Sequence, residues 1–216
     1  MEIIPSILTD NLEDFQNKFT TLQKFSPVIQ IDIMDGEFVD NVSFDKNLKD
    51  LSNKIFGEIN NNTKLELHLM VNHPLEYIEK WKKIKNIFRI IFHAESLDDK
   101  NEVIKKIKSL GWQAGIAINP KTAIESITPY LKKADLVLFM TVNPGKQGGK
   151  FIPEVKQKNC ELKTINNKIL TAIDGGVNKN TINEVKKWDI DIIGIGSAII
   201  KQENPRRAYS YFLSMN

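Results

Sequence analysis

The chain has 216 residues, with 30 Lys and Arg against 27 Asp and Glu, a net charge of +3, and 41% hydrophobic residues. This length suits one domain and lies near the lower end for a closed (β/α)8 barrel, which is typically about 250 residues long. The charges form no basic tract, which argues against a nucleic-acid partner. No apolar run is long enough to cross a bilayer, which argues against a membrane protein.

A single cysteine, Cys160, excludes an intrachain disulfide and a cysteine-rich metal cluster. We predict that it lies on a helix as a packing residue. The amino terminus runs from Met1 and Glu2 directly into an apolar segment, without the basic stretch that begins a signal peptide. We therefore expect a soluble, cytoplasmic protein.

Apolar runs of strand length alternate with helical patterns along the whole chain. This alternation predicts a parallel sheet, and eight such units predict closure into a barrel. The expected fold is a single α/β domain over residues 1–216, a (β/α)8 TIM barrel. The predicted strands are Ile3–Ile7, Val28–Met34, Lys64–Met70, Arg89–Phe92, Gln113–Ile118, Leu136–Thr141, Ile169–Asp174 and Asp191–Ile195.

Helices are indicated where apolar residues recur every three to four positions, a spacing typical of helices packed on a sheet. The clearest segments are Leu12–Leu22, Val103–Leu110 and Ile182–Val185. Polar capping residues and prolines mark several helix starts. These start signals are Thr9–Asn11, Pro74 and Pro153.

The second predicted strand carries polar residues on one face. Its three isoleucines would point outward to the helices, so Gln30, Asp32 and Met34 would point into the barrel. A buried carboxylate needs a partner, such as a metal ion or a hydrogen-bond network. Asp32 is therefore a candidate for chemistry, with a structural carboxylate as the alternative.

A histidine ends the third predicted strand in the same way. The position of His68 beside Asp32 favours metal ligation over a purely structural role. Two other histidines follow strand-like runs. We expect His93 to line the pocket and His73, which precedes Pro74, to have a helix-entry role.

Glycine-containing turns follow the last two predicted strands. Asp174 precedes Gly175 and Gly176, and Gly196 and Ser197 open a helix. Asp174 alone could be a turn former. The loops after strands seven and eight of a TIM barrel, together with a helix N-terminus, typically form a phosphate site. The two turns therefore predict phosphate binding.

The segment 143–151 follows the sixth predicted strand and contains Gly145 and Gly148. We predict a flexible loop at the same rim that can cover the phosphate and exclude water. Lys146 and Lys150 could add positive charge there, although solvated surface lysines are the better interpretation.

Four motifs in this order resemble the ribulose-phosphate 3-epimerase family, and the resemblance covers nearly the whole chain. That family is a ribulose-phosphate-binding (β/α)8 barrel that interconverts D-ribulose 5-phosphate and D-xylulose 5-phosphate in the pentose-phosphate pathway. The motifs are Asp32-Ile33-Met34-Asp35-Gly36, His68-Leu69-Met70, Val142-Asn143-Pro144-Gly145 and Asp174-Gly175-Gly176-Val177.

The resemblance implies an isomerase in which Asp32 and Asp174 are the acid–base pair. With His68 they would bind one divalent metal ion, such as Zn, Fe, Mn or Co, which stabilises the charge of the enediolate. The small-molecule partner would be a sugar phosphate, and a homo-oligomer is also suggested. The implied substrate-binding residues are Ser6, Met34, His68, Met70 and Met140. The implied phosphate-binding residues are Gly145, Gly148, Gly175, Gly176, Gly196 and Ser197.

The sequence departs from the family pattern at several positions. Gln30 stands where the family has a histidine ligand, and an amide oxygen is a weaker donor for a zinc-like ion. Gln30 could be a weak fourth ligand, or it could contact the ligands without binding the metal itself. Glu37 and Asp40 replace a histidine and a proline, and Lys146 and Gln147 alter the lid.

Two alternatives stay open beside a ribulose-phosphate 3-epimerase. The altered positions could select another ketose phosphate, such as a hexulose 6-phosphate. The chain could also be a metal-poor phosphosugar-binding barrel with little catalysis, because a fold alone does not guarantee function. Comparing the turnover of pentulose and hexulose phosphates addresses the first alternative, and metal content addresses the second.

Overall fold

Eight parallel strands close into a barrel in the computed structural model, which describes residues 1–45, 62–145 and 148–215. The strands follow one another around the barrel in chain order, and the last strand pairs with the first. Helices alternate with the strands along the chain. This architecture confirms the expected (β/α)8 TIM barrel.

All strand bounds lie within two residues of the sequence prediction, and three strands have the predicted bounds. The fourth strand is longer than predicted because Arg89 is a buried interior residue within it rather than a polar strand start. The strands are β1 (Glu2–Ile7), β2 (Val28–Met34), β3 (Lys64–Met70), β4 (Ile87–His93), β5 (Gln113–Ile118), β6 (Leu136–Met140), β7 (Leu170–Asp174) and β8 (Ile192–Ile195).

The predicted start signals lie at the beginnings of helices in the structure. The Asn11 side chain caps the first helix by accepting a hydrogen bond from the backbone N–H of Asp14, and Pro74 opens the second. Pro153 begins a short 3-10 turn, Pro153–Val155, that leads into the fourth helix. The helices in the described ranges are α1 (Leu12–Leu22), α2 (Pro74–Trp81), α3 (Lys100–Ser109), α4 (Lys156–Ile165), α5 (Ile182–Val185), α6 (Ser197–Ile200) and α7 (Pro205–Leu213). Within these ranges, no helix combines the length and the apolarity needed to cross a membrane.

Alternation along the strands builds two separate hydrophobic clusters. On β2, Ile29, Ile31 and Ile33 are fully buried in the same cluster as Phe15 and Leu22 of α1. Each such side chain stabilises the fold by about 1.5–3 kcal/mol relative to exposure. The opposite strand faces form the second cluster inside the barrel. That inner cluster includes Ile4, Ile91, Ala117, Leu138 and Ala172.

A buried ion pair lies in the barrel interior below the polar strand ends. Arg89 Nη1 donates to Glu66 Oε2 at 2.6 Å, and Arg89 Nε donates to Gln113 Oε1 at 2.9 Å. Burial raises the pKa of Glu66, although the charge and hydrogen bond of Arg89 act in the opposite direction. Removing one partner of such a pair leaves an uncompensated buried charge, which costs about 3–5 kcal/mol. Glu66 precedes His68 by two residues on the inner face of β3. The Arg89–Glu66 ion pair therefore lies deeper in the barrel than His68, on the same face of the strand.

Cys160 lies on α4 as predicted, but its side chain is exposed, so the prediction of a packing role is wrong. The helix buries Asn159 and Leu162 instead. Asn159 takes an inner position because its Nδ2 donates to the carbonyl oxygen of Trp188. A polar residue with a backbone partner therefore replaces the cysteine at the packed face.

Candidate active site

Asp32, His68 and Asp174 meet inside the carboxyl end of the barrel. Asp32 and His68 are register partners on β2 and β3, and Asp174 is the last residue of β7. His68 Nδ1 lies 3.1 Å from Asp32 Oδ1 and 3.4 Å from Asp174 Oδ2. All three residues are buried. The fold thus brings together side chains that are more than a hundred residues apart in the chain.

Gln30 connects the two aspartates. Its Nε2 donates to Asp32 Oδ1 at 2.7 Å and to Asp174 Oδ2 at 2.8 Å. Gly194 of β8 leaves the space for this arrangement, because a Cβ there would lie 3.0 Å from Asp174 Oδ1. The amide nitrogen of Gln30, rather than its oxygen, therefore faces the acids.

Burial and close contact shift the protonation of this cluster. Burial raises the pKa of Asp32, and the negative charge of Asp174 raises it further, against hydrogen bonds from His68 and Gln30. Burial alone would lower the pKa of His68, but hydrogen bonds with Asp174 and Asp32 raise it to about 9. In the metal-free protein the imidazole is therefore protonated at neutral pH and compensates the charge of the acids.

His93 lies behind His68, away from the aspartates. Its Nε2 is 3.0 Å from His68 Nε2, and its Nδ1 is 3.3 Å from Glu95 Oε2. Burial lowers the pKa of His93 to about 4, so it is neutral. The side chain is fully buried, and it is not among the described residues that line the cavity. Our prediction that His93 lines the pocket is therefore wrong.

His73 precedes α2 as expected, but its side chain makes no capping hydrogen bond to that helix. Instead, His73 Nδ1 lies 2.9 Å from Asp98 Oδ1, and this contact raises the pKa of the imidazole. The Asp98 carboxylate also accepts a hydrogen bond from the Leu75 N–H in the first turn of α2. The helix-entry role therefore belongs to the pair rather than to His73 alone.

A cavity that is open to solvent lies at the carboxyl end of the barrel beside these side chains. Both aspartates line it, and so do three of the expected substrate-binding residues, Ser6, Met70 and Met140. The other two, Met34 and His68, are buried and are not among the described residues that line the cavity. All six of the expected phosphate-binding residues contribute to the wall: Gly145, Gly148, Gly175, Gly176, Gly196 and Ser197.

Two glycines keep one end of the cavity open. Gly175 and Gly176 have φ angles of +104° and +71°, which side chains rarely adopt. A Cβ on Gly175 would lie 2.3 Å from Val142 Cγ2, and a Cβ on Gly176 would lie 3.0 Å from the Cα of Phe151. Both positions require glycine for conformation and for space. The backbone can therefore approach a ligand closely here.

The loop after β2 contacts the loop after β6 across the cavity mouth. The Asn41 side chain donates to the carbonyl oxygen of Gly145, and a Cβ on Gly145 would lie 2.9 Å from Val39. Glu37 and Asp40, which depart from the family pattern, are exposed on the first of these loops. Lys150 is exposed too, as expected of a surface lysine, whereas Lys146 and Gln147 lie outside the described residues.

Residues 2–200 match the model of the "Ribulose-phosphate 3 epimerase family". The chain belongs to the ribulose-phosphate 3-epimerase family. It is 32% identical to "Ribulose-phosphate 3-epimerase" of Bacillus subtilis (strain 168), with 97% of each sequence covered. It is 33% identical to the protein of the same name from Buchnera aphidicola subsp. Baizongia pistaciae (strain Bp), covering 92% of this chain and 88% of that one.

Solved structures share the fold of this family member at low sequence identity. The 3-hexulose-6-phosphate synthase of Salmonella typhimurium has a TM-score of 0.71 at 14% identity, covering 100% of this chain and 98% of that one. KGPDC from Streptococcus mutans in complex with D-R5P has a TM-score of 0.73 at 10% identity, covering 99% and 95%. At these identities the likeness demonstrates the barrel fold alone.

The donor set of this epimerase-family site fits a divalent cation. Asp32, His68 and Asp174 each offer one ligand atom, and these atoms all lie within 4.8 Å of one another. Two carboxylates and an imidazole suit ions of the zinc type. Burial and the charge of Asp174 raise the pKa of Asp32, and a cation held between the three side chains would oppose that rise.

Sequence reasoning missed the role of one buried carboxylate in the family motif. Asp35 Oδ1 accepts hydrogen bonds from the backbone N–H groups of Glu37 and Phe38, at 2.8 Å and 2.7 Å, and Oδ2 accepts one from Asn72 N–H at 2.7 Å. It therefore holds the loop after β2 against the end of β3. The adjacent Gly36 is the available signal, because Asp before Gly is a typical turn former.

We expect the three histidines of the metal-free protein to titrate separately in an NMR pH titration. His68 should have a midpoint of about 9, His93 should stay neutral down to about pH 4, and His73 should titrate above its usual value. Because protonated His68 stabilises the fold, its contribution is complete below about pH 6.5 and is lost as the pH rises through 9. Single His→Gln variants assign the signals. Three midpoints near 6.5 would contradict the described network.

Proposed function

We propose that this protein is an active ribulose-phosphate 3-epimerase that interconverts D-ribulose 5-phosphate and D-xylulose 5-phosphate. One observation supports this proposal above all. Asp32 and Asp174 line the same cavity as the glycine turns after β7 and β8. Acid–base groups and glycine turns that could hold a phosphate therefore line one cavity, and membership of the family indicates the reaction class.

Epimerisation at a hydroxyl-bearing carbon beside a ketone requires removal of a proton from one face and return of a proton to the other. Asp32 and Asp174 come from β2 and β7, which β8 and β1 separate around the barrel, so each carboxyl group can serve one face of the substrate. Burial and the nearby charge of Asp174 raise the pKa of Asp32. The reaction requires one of the two carboxyl groups to act as the base and the other as the acid, with the roles exchanged in the reverse direction.

Asp32, His68 and Asp174 would hold the divalent cation. When bound, such a cation lowers the pKa of the substrate proton and stabilises negative charge on the adjacent oxygens. His68 would give up its Nδ1 proton to become a ligand. Gln30 would keep its role as a donor to both acids, because its nitrogen already faces them.

The phosphate would bind at the opposite end of the cavity, where the turns after β6, β7 and β8 contribute the wall. The backbone groups of Gly176 and Gly196 and the hydroxyl of Ser197 can donate to its oxygens. Ser6 and the methionines Met70 and Met140 would contact the sugar carbons between the two ends. The likeness to 3-hexulose-6-phosphate synthase concerns the fold alone and gives no support to a hexulose substrate.

We expect the purified protein to convert D-ribulose 5-phosphate to its C3 epimer and, in deuterated water, to place deuterium at C3. Asp32→Asn and Asp174→Asn should each lower kcat by at least about a hundredfold, because each removes a general acid–base group. The exposed Asp10→Asn serves as the matched control and should retain full activity. Wild-type turnover in either active-site variant would refute its assigned role.

Gly176→Ala should weaken the binding of ribulose 5-phosphate and of inorganic phosphate about tenfold or more, which is roughly 1.4 kcal/mol. Its methyl group would lie 3.0 Å from the Phe151 backbone, so the turn must move. Gly111→Ala is the matched control, because Gly111 also has a positive φ, +79°, with nothing within 4 Å of its Cβ position. Equal affinities in the two variants would place the phosphate elsewhere.

Gln30→Met should leave the zinc content of the purified protein nearly unchanged, because Gln30 presents a donor nitrogen rather than a ligand oxygen. Gln30→His should raise zinc affinity, since an imidazole can join the other three ligands. Elemental analysis and competition with a chelator measure both effects. Complete loss of zinc from Gln30→Met would identify the amide as a ligand after all.

A further inference from the structure

A chain of three buried or half-buried side chains runs outward from the candidate metal ligands. His68 Nε2 lies 3.0 Å from His93 Nε2, and His93 Nδ1 lies 3.3 Å from Glu95 Oε2. Both imidazoles are fully buried, with ring centroids 5.1 Å apart and planes 24° apart. The ring of Phe38 lies 4.7 Å from that of His93 on another side. Packing therefore fixes the position of His93.

Glu95 is fixed at the outer end of this chain. Its Oε1 accepts a hydrogen bond from the backbone N–H of Asn119 at 2.9 Å and another from the Thr122 hydroxyl. Burial alone would raise the pKa of Glu95, but hydrogen bonds from His93, Thr122 and Asn119 lower it to about 2. Glu95 is therefore an ionised carboxylate, which can only accept hydrogen bonds.

The hydrogen-bond donors and acceptors of these three side chains determine which ring nitrogen of each histidine carries a proton. Since the Glu95 carboxylate only accepts, His93 must carry its proton on Nδ1. His68 would ligate the cation through Nδ1, so it carries its proton on Nε2, and the 3.0 Å contact then makes His93 Nε2 the acceptor. A neutral His68 with this proton has its other lone pair on Nδ1, the atom that faces Asp32 and Asp174.

We propose that His93 and Glu95 are positioning residues for the metal site, which hold His68 in the tautomer and orientation that direct Nδ1 at the cation. This inference rests on the metal site of the proposed function. Ligating histidines typically donate their second N–H to a fixed acceptor, which makes them better ligands. Here that acceptor is a second imidazole, and the carboxylate lies one residue further out.

Zinc affinity, measured by chelator competition, tests the inference without any activity assay. His93→Leu should weaken zinc binding about ten- to a hundredfold, because it removes the acceptor for His68 Nε2–H. Glu95→Gln should weaken it less, about three- to tenfold, because the carboxamide can still accept but no longer excludes the other tautomer. His93→Gln should restore near-wild-type affinity, because its amide can accept from His68 and donate to Glu95.

Two further measurements separate positioning from a general loss of stability. The thermal midpoint of each metal-free variant reports on folding, and Glu125→Gln, at an exposed carboxylate, is the matched control. Nitrogen-15 NMR of the wild-type histidines reports the tautomers directly. We expect the His93 proton on Nδ1 in the metal-free protein and the His68 proton on Nε2 in the zinc-loaded protein.

The outcomes distinguish this inference from the proposed function. If His68→Ala binds zinc as the wild type does, the metal site and the inference are both wrong. If His68→Ala loses zinc while His93→Leu and Glu95→Gln bind it normally, the inference alone is overturned. A His93 proton found on Nε2 would overturn it as well, whatever the catalytic activity of the protein.

Discussion

The site depends on keeping two carboxylates of like charge close together in a buried place. Asp32 and Asp174 would repel each other in the absence of other groups, and burial makes that repulsion stronger. Gln30 Nε2 and His68 Nδ1 each lie close to Asp32 Oδ1 and to Asp174 Oδ2. The two nitrogen atoms therefore separate the two carboxylate oxygens. This arrangement lets the barrel hold its acids in place before any ligand arrives.

Much of this could be predicted from the sequence, because it follows from strand periodicity. The isoleucines of β2 set its outer face, which leaves Gln30 and Asp32 inside, and the structure confirms both sides. Parallel strands of a closed barrel bring their carboxyl ends to one face, so Asp174 and Asp32 were expected at the same end of the barrel. The family and its epimerase reaction also agree with the motif-based expectation.

Other features could not be predicted because they depend on contacts between side chains of separate elements. The position of His93 behind His68 depends on the stagger of β3 against β4, which periodicity does not define. Cys160 is exposed because Asn159 finds a backbone partner on a distant loop. Arg89 was predicted to begin the fourth strand, but its hydrogen bond to Glu66 allows it to lie buried within that strand.

The contact between Asn41, Val39 and Gly145 has a consequence for how such a barrel can change. Because Gly145 has a φ of +99° and packs directly on Val39, neither loop can grow or shift alone without separating from the other. We therefore expect substitutions in the loop after β2 to be accompanied by substitutions in the loop after β6. An engineer who wants a wider entrance would redesign both segments together.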